Sequence, residues 1–144
     1  MGLKNVTVKT KMGQSMKIEC TAGKHTVYID QPSSSGGTDS GPTPLEYYLI
    51  SLAGCISSIA RIAAKQKGII IHAINITCSG DLDVDVLLGK NQSARAGFES
   101  INLSVNLDAD LSPEQKKEFL EEVERRCPVS ENTTNKTPVR LVLE

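Results

Sequence analysis

Tryptophan is absent from this sequence, and aromatic residues make up only 3% of it. The core must therefore be aliphatic, built from Ile, Leu, Val and Ala. No Cys-x-x-Cys occurs. The four cysteines, Cys20, Cys55, Cys78 and Cys127, are far apart, and only His25 and His72 could join them as ligands, neither at ligand spacing. A zinc site is not expected, and no other metal or cofactor is implied. Basic runs are also missing and the formal net charge is −1. That argues against a nucleic-acid or anionic-membrane partner, since both require a sustained positive field. Met1-Gly2-Leu3-Lys4-Asn5 lacks the apolar stretch of an export signal. Val6 stands where myristoylation would want Ser or Thr. Asn-x-Ser/Thr triplets beginning at Asn5, Asn75, Asn91, Asn102 and Asn132 are then coincidences of composition. The expected compartment is the cytoplasm, where cysteines stay reduced and do not staple a fold.

What is present fits one domain over residues 1–144. Residues 1–30 read as a β-meander. Val6 and Val8, then Met16, Ile18 and Cys20, then Val27 and Ile29 alternate with polar residues, and Gly13 and Gly23 mark the turns. Cys20 falls in phase with the apolar face and reads as a small buried hydrophobe. The stretch from Gln31 to Pro42, rich in Ser, Gly and Pro, reads as a flexible loop.

A helix is expected over 43–67. Thr43 fits its N-cap, Pro44 its first position and Glu46 its third, the pattern of a capping box. From Tyr47 to Ala60 there is no charge, so the helix should be buried on most sides. Arg61 interrupts that run before the roughly twenty apolar residues of a membrane span. Lys65, Lys67 and Gly68 supply a cationic last turn and a stop.

Strands are expected over 71–108. Ile74, Ile76 and Cys78 alternate, and Leu82, Val84 and Val86 continue the pattern. Asp81, Asp83 and Asp85 would form a solvated acidic face. They do not make a calcium loop, because Val86 stands where Gly is needed and Gln92 where Glu is needed. Ile101, Leu103, Val105 and Leu107 form the next strand. A second capped helix over 112–127 starts at Ser112-Pro113-Glu114-Gln115 and carries Phe119, Leu120, Val123 and Cys127 on one side; Pro128 ends it. Val139, Leu141 and Leu143 suggest a terminal strand over 137–144. The expected class is α+β. One sheet covers only one side of so apolar a helix, so a dimer burying two such helices between two sheets is inferred.

The stretch from Gly41-Pro42-Thr43-Pro44 through Ser51-Leu52-Ala53-Gly54-Cys55 resembles the first cysteine motif of the OsmC/Ohr family, the osmotically induced and organic hydroperoxide resistance proteins. Cys127-Pro128-Val129-Ser130 resembles the second. The resemblance covers almost the whole chain. It implies an OsmC-like fold, with antiparallel sheets wrapped around long central helices in an intertwined homodimer. It also implies reduction of organic hydroperoxides, with Cys55 as the peroxidatic thiolate and Cys127 as the resolving thiol. A dithiol of lipoyl or thioredoxin-like type would then restore both.

The group that activates Cys55 is not given by the resemblance. Cys55 lies roughly 18 Å from the helix start at about 1.5 Å per residue, beyond the reach of the helix dipole. Family peroxidases use an amino-terminal Arg held by a Glu just after the motif's proline. Here no Arg precedes Arg61, and Leu45 follows Pro44 with Glu46 one place later. Glu46 has two readings, the capping partner of Thr43 or a catalytic group acting across a dimer interface. Arg61, Arg95, Arg125 and Arg126 stand as candidate cations. Cys78, in phase with a core strand, reads as inert. Beside a peroxidase stand two alternatives: a non-catalytic dimer that binds a small apolar ligand or a protein, and thiol chemistry on another electrophile.

Overall fold

The computed structural model describes residues 2–144. The chain divides into two compact units, Met1–Tyr48 and Leu49–Glu144. In the first unit, β1 (Lys9–Met12), β2 (Ile18–Ala22) and β3 (His25–Ile29) form an antiparallel sheet in that order. The meander is as expected, but its first strand begins at Lys9. Thr10 pairs with Cys20 and Met12 with Ile18, which leaves Val6 and Val8 exposed ahead of the sheet. Cys20 is buried.

Residues 31–42, expected as a flexible loop, are organised around one carboxylate. Asp30 is only 1% exposed. Its Oδ2 accepts from the backbone N–H and hydroxyl of both Thr38 and Ser40, at 2.7 to 3.2 Å, and its Oδ1 accepts from Gln31 N–H at 2.8 Å. A short 3-10 helix, Ser33–Ser35, and the bond from Asp39 N–H to Gln31 O complete the loop. Gly37 is obligatory at its place, because a Cβ there would lie 1.9 Å from Gln31 O. These hydrogen bonds, led by the Ser40 hydroxyl, hold the Asp30 carboxyl far below the usual carboxylate range.

Helix α1 (Pro44–Lys67) begins in the first unit and runs on through the second. Thr43 and Glu46 make the reciprocal cap: Glu46 N–H donates to Thr43 Oγ1, while Glu46 Oε2 accepts from Thr43 N–H and hydroxyl. The helix stops at Gly68, which has φ of 67°. Ile69 N–H then returns to Ala64 O at 2.9 Å, a Schellman closure that only a left-handed residue permits cheaply. By length and composition α1 could cross a membrane, yet its stripe of Leu52, Ile56, Ala60, Ala63 and Ala64 is protein core. Burial on most sides is not what this single chain shows. Tyr48, Ile50 and Ile62 lie exposed.

In the second unit β4 (Ile71–Asp81) pairs antiparallel with β5 (Ser100–Ala109), Ile76 opposite Val105 and Cys78 opposite Leu103. The inward residues join the core formed with α1 and with α3 (Pro113–Arg126), whose Phe119 and Val123 are almost fully buried. The Ser112 capping box is present in full. Helix α4 (Pro128–Thr134) follows. Two expectations fail here. Strand β4 does not continue through Val84 and Val86; Asp83 accepts from Asp85 N–H and so caps a short helix, α2 (Val84–Leu87). Residues 137–144 form no strand; alternation assigns faces, but a strand also needs a neighbouring backbone to pair with, and Val139, Leu141 and Leu143 are almost wholly exposed.

The Asp30 contacts predict a pH signature. A carboxylate held below its unfolded value, about 3.9, contributes stability above that pH and loses it as pH falls toward the folded value. Asp30→Asn should lower the thermal midpoint by several degrees at pH 7 and flatten its decline below about pH 4. Calorimetry from pH 7 to pH 2.5 measures both. A variant whose midpoint falls as steeply as the wild type's would refute the assignment.

Candidate active site

Cys55 and Cys127 are 72 residues apart in sequence, and their sulfurs lie 2.8 Å apart without being bonded. Local chain chemistry explains the meeting. Cys55 sits on α1 between Leu52 and Ile56, at the border of the buried stripe, and is half-buried. Cys127 follows Val123 by one turn on the buried face of α3. It is 0% exposed. Pro128 excludes the helical conformation for the residue before it, and Cys127 accordingly leaves the helix at φ −82°, ψ 110°. It closes α3 and at the same time caps α4. The side chain at that corner is directed into the core against α1.

The pair is polarised. Ser130 N–H donates to Cys127 Sγ at 3.4 Å, which leaves the Cys127 S–H free to donate to the Cys55 sulfur. Burial pushes the Cys127 thiol up, and the hydrogen bond with Cys55 adds to the rise. The N–H groups of Ser130 and Val129 oppose it. The net effect favours the protonated form of Cys127. A disulfide bond is about 2.05 Å long, so joining the two sulfurs requires only a small approach.

The other candidates are engaged elsewhere. Glu46 is the capping partner of Thr43, whose backbone N–H, then hydroxyl, draw its carboxyl below the ordinary range. Arg61 donates to Ile71 O. Arg126 bonds Gln66 Oε1 and Glu122. Arg125 lines a surface groove with Lys67, Gln115 and Glu118. Cys78 lies opposite Leu103 on the inner face of β4, and burial raises its thiol. Among the described residues no group of three His, Cys, Asp or Glu could hold a metal.

Two cavities are bordered by Leu52 and Ser130, each three residues along the chain from one of the two cysteines, though neither sulfur lines them. One, of about 260 Å³, is lined by Leu52, Ile56, Leu103, Val105, Leu120, Glu124 and Ser130. The other, of about 250 Å³, shares Leu52, Leu103, Glu124 and Ser130 and adds Arg95, Phe98 and Thr133. Arg95 is thus the candidate cation that borders a cavity next to the helix turn carrying Cys55. Glu124 escaped the sequence reading, and Ser130 was read there only as the last residue of the second motif, with no role of its own. The signal for Ser130 was there: it is three residues after Cys127, the spacing at which a cap receives a backbone N–H.

The family model for OsmC-like protein matches residues 37–142. The fold is similar to that of an OsmC-like protein from Mycoplasma pneumoniae, with TM-score 0.80 at 21% identity, covering 92% of this chain and 89% of that one. An organic hydroperoxide resistance protein OsmC from Legionella pneumophila gives 0.67 at 19% identity, with coverage of 92% and 90%. The organic hydroperoxide resistance protein OhrB of Bacillus subtilis gives 0.62 at 23% identity, with coverage of 94% of both chains. At these identities the likeness is one of fold, an antiparallel α+β architecture around a long helix. No curated protein matches the sequence.

The two sulfurs should differ in reactivity. At neutral pH, iodoacetamide should label Cys55 at least about tenfold faster than the buried, protonated Cys127. Peptide mass spectrometry over a time course reads both rates. Equal labelling of the two would contradict the polarity derived above.

Proposed function

The chain belongs to the OsmC-like protein family, and from that premise we propose that it is a thiol-dependent peroxidase for organic hydroperoxides. The observation that carries this reading is the contact between Cys55 and Cys127 in an aliphatic setting. Cys55, as thiolate, attacks the terminal oxygen of the hydroperoxide. The O–O bond breaks, the alkoxide takes a proton and leaves as an alcohol, and Cys55 becomes a sulfenic acid. Cys127 then attacks the oxidised sulfur. Its proton leaves with the hydroxyl as water, and a Cys55–Cys127 disulfide remains. An external dithiol reduces that bond by exchange, itself becoming a disulfide.

The cavity walled by Leu52, Ile56, Leu103, Val105 and Leu120 suits the apolar body of an alkyl or aryl hydroperoxide. Arg95, bordering the adjoining cavity, is the cation we assign to assist the Cys55 thiolate. The proposal extends to a homodimer in the reducing cytoplasm. Exposed Ile50 and Ile62 on α1, and exposed Val139, Leu141 and Leu143, are apolar surface that a second copy would cover. A second reading is an OsmC-like dimer that binds a small apolar ligand without turnover. It is favoured by the lack of any Arg before Arg61.

Peroxide consumption separates the two. With cumene hydroperoxide and a dithiol, the wild type should turn over and accumulate a Cys55–Cys127 disulfide when reductant runs out. Cys55→Ser should fall to the uncatalysed rate, while Cys127→Ser should complete one turnover and stop at the sulfenic acid. Wild-type consumption no faster than that of Cys55→Ser would leave only the binding reading.

A further inference from the structure

The reductive half of the cycle contains a choice of sulfur. A thiolate attacks a disulfide in line with the S–S bond, so it needs open space behind the sulfur it strikes, and the other sulfur leaves. The two sulfurs here are not equally open. Cys127 is 0% exposed, enclosed in the cluster that contains Phe119, Val123 and Ala60. Cys55 is half-buried at the edge of that cluster. The Ser130 N–H already points at Cys127 Sγ, where a departing negative charge would appear.

On the peroxidase reading, and deepening it, we propose that the dithiol reductant attacks only the Cys55 sulfur of the disulfide and expels Cys127, so that the enzyme–reductant mixed disulfide always forms on Cys55. In the first step the reductant's thiolate bonds to Cys55 Sγ and the S–S electron pair leaves with Cys127 Sγ. In the second step the reductant's other thiolate attacks its own sulfur in the mixed disulfide, closing the reductant's disulfide and releasing Cys55 as thiolate. Two electrons pass from the dithiol to the protein.

Leaving-group chemistry alone points the other way. The thiol with the lower pKa leaves faster, and burial keeps Cys127 high. Access outweighs this, because a sulfur with no open surface cannot be struck at all, whereas a poorer leaving group only slows the step. The same burial then protects the intermediate. Once expelled, Cys127 takes up a proton, and a protonated thiol does not strike back at the mixed disulfide. A dithiol gains time for its second attack, while a monothiol stalls on Cys55.

The test uses full-length protein oxidised with diamide, so that no peroxide chemistry is involved. The disulfide is exposed briefly to the monothiol cysteamine, quenched with acidic N-ethylmaleimide, digested and mapped by mass spectrometry. The same mapping is made after unfolding in guanidinium chloride, where both sulfurs are open. The native protein should carry cysteamine on Cys55 and maleimide on Cys127, with a Cys55-to-Cys127 adduct ratio at least about tenfold above that of the unfolded chain. A native ratio equal to the unfolded one, adducts chiefly on Cys127, or no disulfide with diamide would each overturn the inference. Inactivity toward hydroperoxides would instead defeat the peroxidase reading and leave this adduct pattern intact.

Discussion

The site depends on a backbone corner. An uninterrupted helix through residue 127 would carry its chain onward past α1; Pro128 forbids that by pushing Cys127 out of the helical region. The corner lets one residue finish α3, start α4 and hold its sulfur against Cys55. Three things are coupled there. The Ser130 N–H that Cys127 Sγ caps at the start of α4 also polarises that sulfur, and the core that buries Cys127 raises its proton affinity. A change to any of them changes the contact between the two thiols.

The aliphatic core makes this corner workable. With few aromatics, the second unit relies on close approach of small side chains. Ala60, Ala63 and Ala64 are essentially without exposed surface beside Ile71, Leu107, Phe119 and Val123. Removing the Phe119 ring would cost about 3–5 kcal/mol by the usual large-to-small penalty, a large part of the stability of a domain this size. Packing of that density keeps water from Cys127 while the rim, where Cys55 sits, stays accessible.

Local chemistry was legible in the residues, and pairing between distant segments much less so. Both capping boxes could be read because a cap is written within four residues, and Thr43 with Glu46 and Ser112 with Gln115 form as expected. Gly68 as the stop of α1 is legible for the same reason. Asp83 misled, since a period-two pattern of Asp reads as a strand face until one asks which N–H each carboxylate can accept. The loop after Asp30 misled in the opposite sense. Its Ser, Thr and Gly content signals flexibility, but those hydroxyls and amides are the donors a buried carboxylate needs. The terminal alternation at Val139, Leu141 and Leu143 specifies a face and no partner. The cysteine contact came from resemblance and not from spacing, because no periodicity joins residues 72 positions apart.

The surroundings of Cys127 bear on the roles proposed for the two sulfurs. A peroxidatic sulfur must lose its proton and meet substrate, whereas a resolving sulfur must wait until its partner is oxidised. Burial with one hydrogen bond into Cys127 suits the waiting role, since a protonated thiol does not react with peroxide. Its S–H, directed at Cys55, supports charge there over a shorter distance than any arginine would require. On the proposed mechanism, the hydrogen bond from Cys127 to Cys55 takes over part of the work that the amino-terminal cation does in the better-known relatives. The proposed assignment, Cys55 as attacker and Cys127 as reserve, rests on one asymmetry of solvent access.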